Sequence, residues 1–434
     1  MTRACHCASL AIGNGGKLKR PRPRIEHLCA RSKSSALQSS CENQKIPMLD
    51  KEFIIFGQPD IQAEDIQEVV NTLQGLWIGT GPRTREFEGL FGDYVGAPYC
   101  VATSSGTAAL HLALIALGVG PNDEVVVPAM TFPATANVVV HVGAKPVFAD
   151  VDRSTRNLSA ETLSAAITER TSAVMPVLMA GFPEDIPALK AIAGLYGAAV
   201  LVDAAHATET RHKGQSIGAL GDMTAYSFYA TKNITTAEGG MLTTSDEALA
   251  KRARMLSLHG LSADAWSRYS GKTAQTYEVI EPGFKYNMTD FQAALGIRQL
   301  LRIEASWKRR LSIWKRYDEG LKELPLELPH SPAEDFGRSA LHLYSPLLDT
   351  DRVPFDRDAM REKLRRNGIG TGVHFTALHL HAYYRERFGY RGGEFPNAEE
   401  IGARTFSLPL YPQLRDDQVN HIIDTIRSLL LPFS

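Results

Sequence analysis

Lys232 sits in the stretch "TAYSFYATKNITTAEGGMLTT" (residues 224–244), among small, hydroxylated and aromatic residues, with no charged neighbour until Glu238. An amine kept in apolar surroundings gives up its proton readily, and a neutral amine is a nucleophile. Three other stretches hold residues of matching chemistry. In "SSGTAAL" (104–110), Gly106, Thr107 and Ala108 form a small-residue turn entering a helix. First-turn N–H groups have no intrahelical acceptor and can hold a phosphate, although this stretch alone reads more simply as a helix start capped by Ser or Thr. In "VLVDAAHA" (200–207), Asp203 closes a buried apolar run, the place where open α/β sheets keep their ligands. It needs a cationic partner there, unless it only caps the next helix. His206, three residues on, is either a contact for a ring hydroxyl or a satisfied structural histidine. Phe132, in "PAMTFPATANVV", starts a helix and can stack on a flat ring, although a lone aromatic is more often core.

In chain order these pieces are a phosphate cradle, an aromatic plate, an aspartate and a lysine, with Ser227 available to the same phosphate. They are the parts that pyridoxal 5'-phosphate requires. The lysine bonds the aldehyde, and the carboxylate keeps the pyridine nitrogen protonated so that the ring can draw off electrons. Gly239-Gly240 would let backbone pass close to such a cofactor; a tight turn before the strand "GMLTT" also accounts for it.

These residues need elements to position them. "DEVVVPA" (123–129), "AKPVFADV" (144–151), "SAVMPVLMA" (172–180), "AAVLVDAA" (198–205) and "MTAYSFYA" (223–230) read as buried strands, with helical stretches such as "TFPATANVVVHVG" and "EDIPALKAIAGLYG" between them. Apolar strands without polar alternation, separated by helices, predict a mainly parallel sheet covered on both faces. "DEALAKRARMLSLHG" reads as a further helix. A long amphipathic helix is expected from Thr289 to about residue 323, leading into an α+β region with a strand at "SALHLYSPLLD", a helix at "DRDAMREKLRRNGI" and a closing helix at "DDQVNHIIDTIRSLL". The expected organisation is a leader over 1–47, a large cofactor-binding domain over 48–300 and a small C-terminal domain over 301–434.

The 434 residues are 44% hydrophobic and 22% charged, with a formal net charge of −1. That balance gives no reason to expect nucleic-acid or membrane-surface binding, and no apolar run is long enough for a membrane helix. Four of the five cysteines, Cys5, Cys7, Cys29 and Cys41, precede residue 42, and only Cys100 follows. Cys5-His6-Cys7 has poor spacing for zinc, so no metal site is expected. A body with one cysteine has no disulfide framework, which suits a reducing cytoplasm. Residues 1–47 include "KLKRPRPR" and "ARSKSSALQSS" and lack apolar periodicity. They read as a disordered or dispensable leader, either a transit peptide or a stretch ahead of a functional start at Met48.

Over nearly all of residues 50–430 the chain resembles the DegT family of sugar aminotransferases. The resemblance is carried by "GLWIGTGPRTREFE", "SSGTAAL", "TFPATAN", "DAAHA", "SFYATKNITTAEGGM", "GFKYNMTDFQAALG", "GIGTGVHF" and "FSLPLYP" in that order. Within the family the wording is most similar to that of UDP-4-amino-4-deoxy-L-arabinose–oxoglutarate aminotransferases. The resemblance implies an α/β fold of the fold-type I aminotransferases, with a mainly parallel, seven-stranded type of sheet and a smaller C-terminal α+β domain. It implies that Lys232 bonds the cofactor, Asp203 partners the pyridinium, His206 lies beside O3', Phe132 stacks, and Thr107, Ala108 and Ser227 contact the phosphate. It also implies a homodimer whose site is shared, with the segment holding Lys285 and Asn287 donated by the neighbour. Many relatives read "NYR" where this chain has Lys285-Tyr286-Asn287, which leaves open which of the two reaches the phosphate. Trp77 and His374 match segments near a sugar-nucleotide pocket.

The expected activity is amino transfer from glutamate, leaving 2-oxoglutarate, to a 4-keto sugar nucleotide in cell-surface polysaccharide, lipopolysaccharide or amino-sugar biosynthesis. A dehydratase of the same fold is disfavoured, because such relatives have a histidine in place of the lysine. A cyclitol aminotransferase is compatible with the motifs. A non-catalytic, cofactor-binding regulator is disfavoured by the intact Lys232, Asp203 and His206, and by the lack of a recognisable DNA-binding module.

Overall fold

The computed structural model describes residues 53–75, 77–262, 277–332 and 335–434, all within one compact unit, Glu52–Ser434. The leader over 1–47 lies outside the described residues. Seven strands form the central sheet: β1 (Tyr99–Thr103), β2 (Glu124–Pro128), β3 (Lys145–Ala149), β4 (Thr171–Val174), β5 (Ala199–Asp203), β6 (Met223–Ser227) and β7 (Gly240–Thr244). Their spatial order is β1-β7-β6-β5-β4-β2-β3. All neighbours pair in parallel except β7, which runs antiparallel to both β1 and β6. The apolar runs expected to be strands therefore are strands, but β4 is shorter than its run. Its continuation, Met175–Ala180, keeps only a bridge from Val177 to Asp203 of β5 and ends in a 3-10 turn at Met179–Gly181.

The sheet is buried on both faces, as an unalternating strand pattern requires. One core contains Val125, Val127 and Leu201 with the helix Gly106–Ala116, and the other contains Val126, Val200 and Val202 with the helices Pro82–Val95 and Ile186–Leu195. A third core gathers Trp314, Tyr317, Tyr344, Met360 and Phe406 against the closing helix Asp416–Leu430.

Two expectations are corrected. The single long helix from Thr289 is two helices, Asp290–Leu301 and Ile303–Leu321, broken at Arg302 (φ −114°, ψ 9°). Arg302 is held outside the helical ladder by the Asp65 carboxylate and the Asp60 carbonyl of the N-terminal region, a tertiary contact that outweighs local propensity. "SALHLYSPLLD" is mostly irregular: only Leu347–Leu348 pairs as a strand, with Leu326–Glu327. The Ala340 and His342 N–H groups instead donate to the carbonyls of Gly181 and Ala180, so this run is fastened to the loop after β4.

Candidate active site

The C-terminal ends of β1, β5 and β6 meet at one edge of the sheet. Gly240 opens β7 and pairs with Ser227 on one side and Thr103 on the other, which sets three loops around one point. Asp203 is level with Ala225 of β6. Between the loops lies a cavity of about 390 Å³. Lys232, Asp203, His206, Phe132, Ser227, Gly106, Thr107 and His374 line it. Thus most of the residues singled out by sequence converge, although they span positions 106 to 374.

The lysine loop is closed at its base by bonds from the Phe228 N–H to the Gly239 carbonyl (2.8 Å) and from the Thr236 N–H to the Phe228 carbonyl (3.0 Å). Enclosure by protein pulls the Lys232 amine down to about 8, while the Asp203 charge acts through space in the opposite direction. Asp203 is itself pushed up by burial; the Thr135 hydroxyl (2.9 Å) and the Ala205 N–H (3.1 Å) donate to it, and these and Lys232 oppose the rise. A buried carboxylate with two neutral donors, and no cation in contact among the described residues, is short of a positive partner. His206 accepts the Ala180 N–H at Nδ1 (3.3 Å), and burial with the nearby Lys232 charge holds it well below the usual histidine range, so it is neutral.

The phosphate-cradle stretch begins the helix Gly106–Ala116, with Ser105 as its cap. The Ser105 hydroxyl accepts the Ala108 N–H at 3.0 Å, which leaves the Gly106 and Thr107 end facing the cavity; Ala108 is buried and does not line it. A Cβ on Gly106 would lie 2.8 Å from Ser227 Cβ, and one on Gly240 would lie 2.5 Å from the Ser105 backbone. Glycine at 240 is therefore required by close packing of β7 on the cradle rather than by a turn. Phe132 caps the helix Pro133–His141 and is 57% exposed, with its ring 5.9 Å from that of Phe375. An aromatic left open over a cavity is free to stack on a planar ring.

A planar cation with an anionic tail fits this arrangement. Its cationic nitrogen would meet Asp203, its tail the Gly106–Thr107 N–H groups and Ser227, and its aldehyde the Lys232 amine. The sequence matches the DegT/DnrJ/EryC1/StrS aminotransferase family over residues 59–427. The chain belongs to this family. It is 48% identical over 380 residues to the spore coat polysaccharide biosynthesis protein SpsC of Bacillus subtilis (strain 168), covering 87% of this chain and 97% of SpsC. The putative sugar aminotransferase Spr1654 from Streptococcus pneumoniae, solved in PMP and PLP forms, is similar in structure. Its PMP form gives a TM-score of 0.80 at 35% identity, covering 87% of this chain and 98% of Spr1654. Helicobacter pylori PseC, an aminotransferase involved in the biosynthesis of pseudoaminic acid, gives a TM-score of 0.81 at 26% identity, covering 88% and 100%. The protein is thus a transferase of a sugar aminotransferase family, and its cofactor is pyridoxal 5'-phosphate.

Trp77, Lys285 and Asn287 do not line the cavity. Asn287 bridges to Thr103 at the end of β1, and the Ser104 N–H donates to the Tyr286 carbonyl (2.6 Å), so this segment lies behind the cradle loop. Trp77 Nε1 donates to the Thr80 carbonyl at 2.8 Å. Sequence reasoning missed Thr135, which holds Asp203, and Phe375, His342 and Tyr229, which line the cavity. Thr135 lies three residues after Phe132 in "TFPATAN", a spacing that puts both on one helix end and is a usable signal. His342 has no local signal. Among the described residues, no cluster of His, Cys, Asp and Glu is arranged to hold a metal, and no helix is long and apolar enough to cross a membrane.

Proposed function

We propose that the protein transfers an amino group from glutamate to a 4-keto sugar carried on a nucleotide, in the biosynthesis of a cell-surface polysaccharide, lipopolysaccharide or free amino sugar. The observation that carries this reading is the Lys232 amine, brought down to about 8 beside the buried Asp203 carboxylate. When bound, pyridoxal phosphate supplies an aldehyde for amino groups and an electron sink for the carbanion formed at the substrate carbon. The chain's own residues do the rest. Lys232 would hold the cofactor through its aldehyde, and its amine, when free, would carry a proton to and from the substrate carbon. Asp203 holds the pyridine nitrogen protonated. His206, neutral with its proton on Nε2, donates toward the ring hydroxyl. Gly106, Thr107 and Ser227 anchor the phosphate, and Phe132 covers one ring face.

A homodimer is part of the proposal. Tyr277, Val279 and Ile280 expose apolar side chains just ahead of Lys285 and Asn287, and Ile78 is exposed beside Trp77. A dimer would cover these apolar side chains, and the neighbour's 285–287 segment would complete the phosphate site. His374 and Trp77 would face the sugar nucleotide. A cytoplasmic setting accords with substrates of this kind.

Incubating the cofactor-loaded protein with glutamate and a panel of 4-keto-6-deoxy and 4-keto-pentose nucleotides tests the activity by mass spectrometry. Appearance of the amino sugar and 2-oxoglutarate is expected; release of neither with any acceptor would refute the reading. For the shared site, a Lys232→Ala chain mixed with a Lys285→Ala/Asn287→Ala chain should recover part of the activity. No recovery after verified subunit exchange would rule it out.

A further inference from the structure

His342 enters the cavity from the irregular run after Ser339, and its ring centroid lies 4.4 Å from that of His206. Its side-chain hydrogen bond runs away from the cavity: Nδ1 meets Asn233 Oδ1 at 2.9 Å. Asn233 Nδ2 faces two acceptors, Glu209 Oε2 at 2.8 Å and the Ala340 carbonyl at 2.9 Å. Two acceptors on one side fix the amide with its NH2 there and its oxygen toward His342. An amide oxygen only accepts, so the His342 proton is on Nδ1 and Nε2 keeps its lone pair. Glu209 is kept an acceptor in turn by contact with Arg310, both side chains being buried. His206 is the opposite tautomer, because its Nδ1 is taken by the Ala180 N–H. The two adjacent rings therefore offer one donor and one acceptor.

We propose that Nε2 of His342 accepts a hydrogen bond from a hydroxyl group of the acceptor sugar, and that Arg310, Glu209 and Asn233 are positioning residues that hold this tautomer. The proposal rests on the keto-sugar reading above. A lone pair repels carboxylate and phosphate oxygens, which removes the glutamate carboxylates and the nucleotide phosphates as partners. Glutamate's amino group must shed protons and react, and the Lys232 amine is committed to the cofactor aldehyde and to proton transfer, so among the groups of the sugar ring a hydroxyl is the donor left to meet His342. Burial and the nearby Lys232 charge keep the ring neutral, so it does not become a cationic donor near neutral pH.

Kinetics of cofactor-loaded wild type, His342→Leu and His342→Gln with keto sugar nucleotides that keep or lack single ring hydroxyls test the idea. His342→Leu should lower kcat/KM for the fully hydroxylated acceptor roughly tenfold through KM, and His342→Gln, which keeps an acceptor oxygen, should recover part. One deoxy analogue should cost the wild type a similar factor and cost His342→Leu little more. An equal loss for every analogue, or as large a loss in the glutamate half-reaction, would overturn the proposal. Nitrogen-15 spectra of histidine-labelled wild type, with His342 identified by its absence in His342→Gln, should show a protonated Nδ1. A protonated Nε2 overturns the relay, even if the His342→Leu variant fails to fold. Wild type that aminates no keto sugar at all overturns the functional reading and this proposal together, while the tautomer result still judges the relay alone.

Discussion

Two buried carboxylates lie six residues apart, Asp203 at the end of β5 and Glu209 in the loop after it, and their surroundings differ. Glu209 is in direct contact with the Arg310 guanidinium and accepts from Asn233, so although burial pushes it up, two donors oppose the rise. Asp203 receives only a hydroxyl and a backbone N–H, and its cation, Lys232, acts through space. The Glu209 pair is complete in charge, although Arg310 Nε has no hydrogen-bond partner among the described residues, and it joins the helix Ile303–Leu321 to the loop after β5. The Asp203 pair is incomplete, with a lysine near 8 and a carboxylate short of positive charge. A structural ion pair satisfies its members; a site that must bind a cationic ring leaves them waiting.

The largest effect should come from removing the waiting amine. Lys232→Ala should lose turnover by several orders of magnitude, since it removes both the covalent attachment and the proton carrier. It should also lose the visible absorption of lysine-bound cofactor, read in the same cuvette. Undiminished amino transfer would end this account of the site. Asp203→Asn keeps the shape and one acceptor oxygen, for the Ala205 N–H, and turns the other into an NH2 that the Thr135 hydroxyl can accept from, but removes the charge. It should still bind cofactor through Lys232, as the spectrum would show, yet transfer amino groups roughly a hundredfold more slowly or worse, because stabilisation of charge in the reaction is lost.

The complete pair should answer differently. Arg310→Met leaves Glu209 buried without its cation and should destabilise the protein by about 3–5 kcal/mol, measured by denaturant unfolding of the cofactor-loaded form. Arg310→Met with Glu209→Gln should regain much of that, because no uncompensated charge remains. A single variant within about 1 kcal/mol of wild type would show that the contact is not the structural one inferred here.

Much of this is legible in the sequence, for identifiable reasons. The buried parallel strands announce themselves as apolar runs, and Asp203, Ser227 and Lys232 sit at or just past the ends of two of them. What stays hidden depends on residues far apart in the chain. Arg310 falls in an amphipathic helix, where an arginine reads as solvent-exposed, yet it is 1% exposed because Glu209, a hundred positions away, meets it. The break at Arg302 has the same origin, in Asp65. "SALHLYSPLLD" has the composition of a strand, but at its start the Ala340 and His342 N–H groups bond to residues 181 and 180, and that detour is what brings His342 to the cavity. β1 goes unrecognised because its central residues, Cys100 to Ala102, are too few to stand out as an apolar run.

The smallest effect separates the two halves of the waiting pair by pH. In cofactor-free protein only the neutral Lys232 amine captures the aldehyde. Its pKa is lowered from 10.5 to about 8, so the neutral fraction should rise about tenfold per pH unit below that value and level off above it. The rate of covalent capture, followed by absorbance from pH 6 upward, should show that midpoint. Asp203 stabilises the charged amine, which raises the lysine pKa against the stronger pull of burial. Asp203→Asn should therefore move the midpoint below the wild-type value and speed capture per lysine at pH 7, although the same variant is slow in transfer. A capture midpoint that stays near 10.5 in wild type would mean that the amine is solvated. A midpoint that Asp203→Asn leaves in place would mean that the carboxylate does not act on it, and the contrast with the Glu209–Arg310 pair would then rest on contact distance alone.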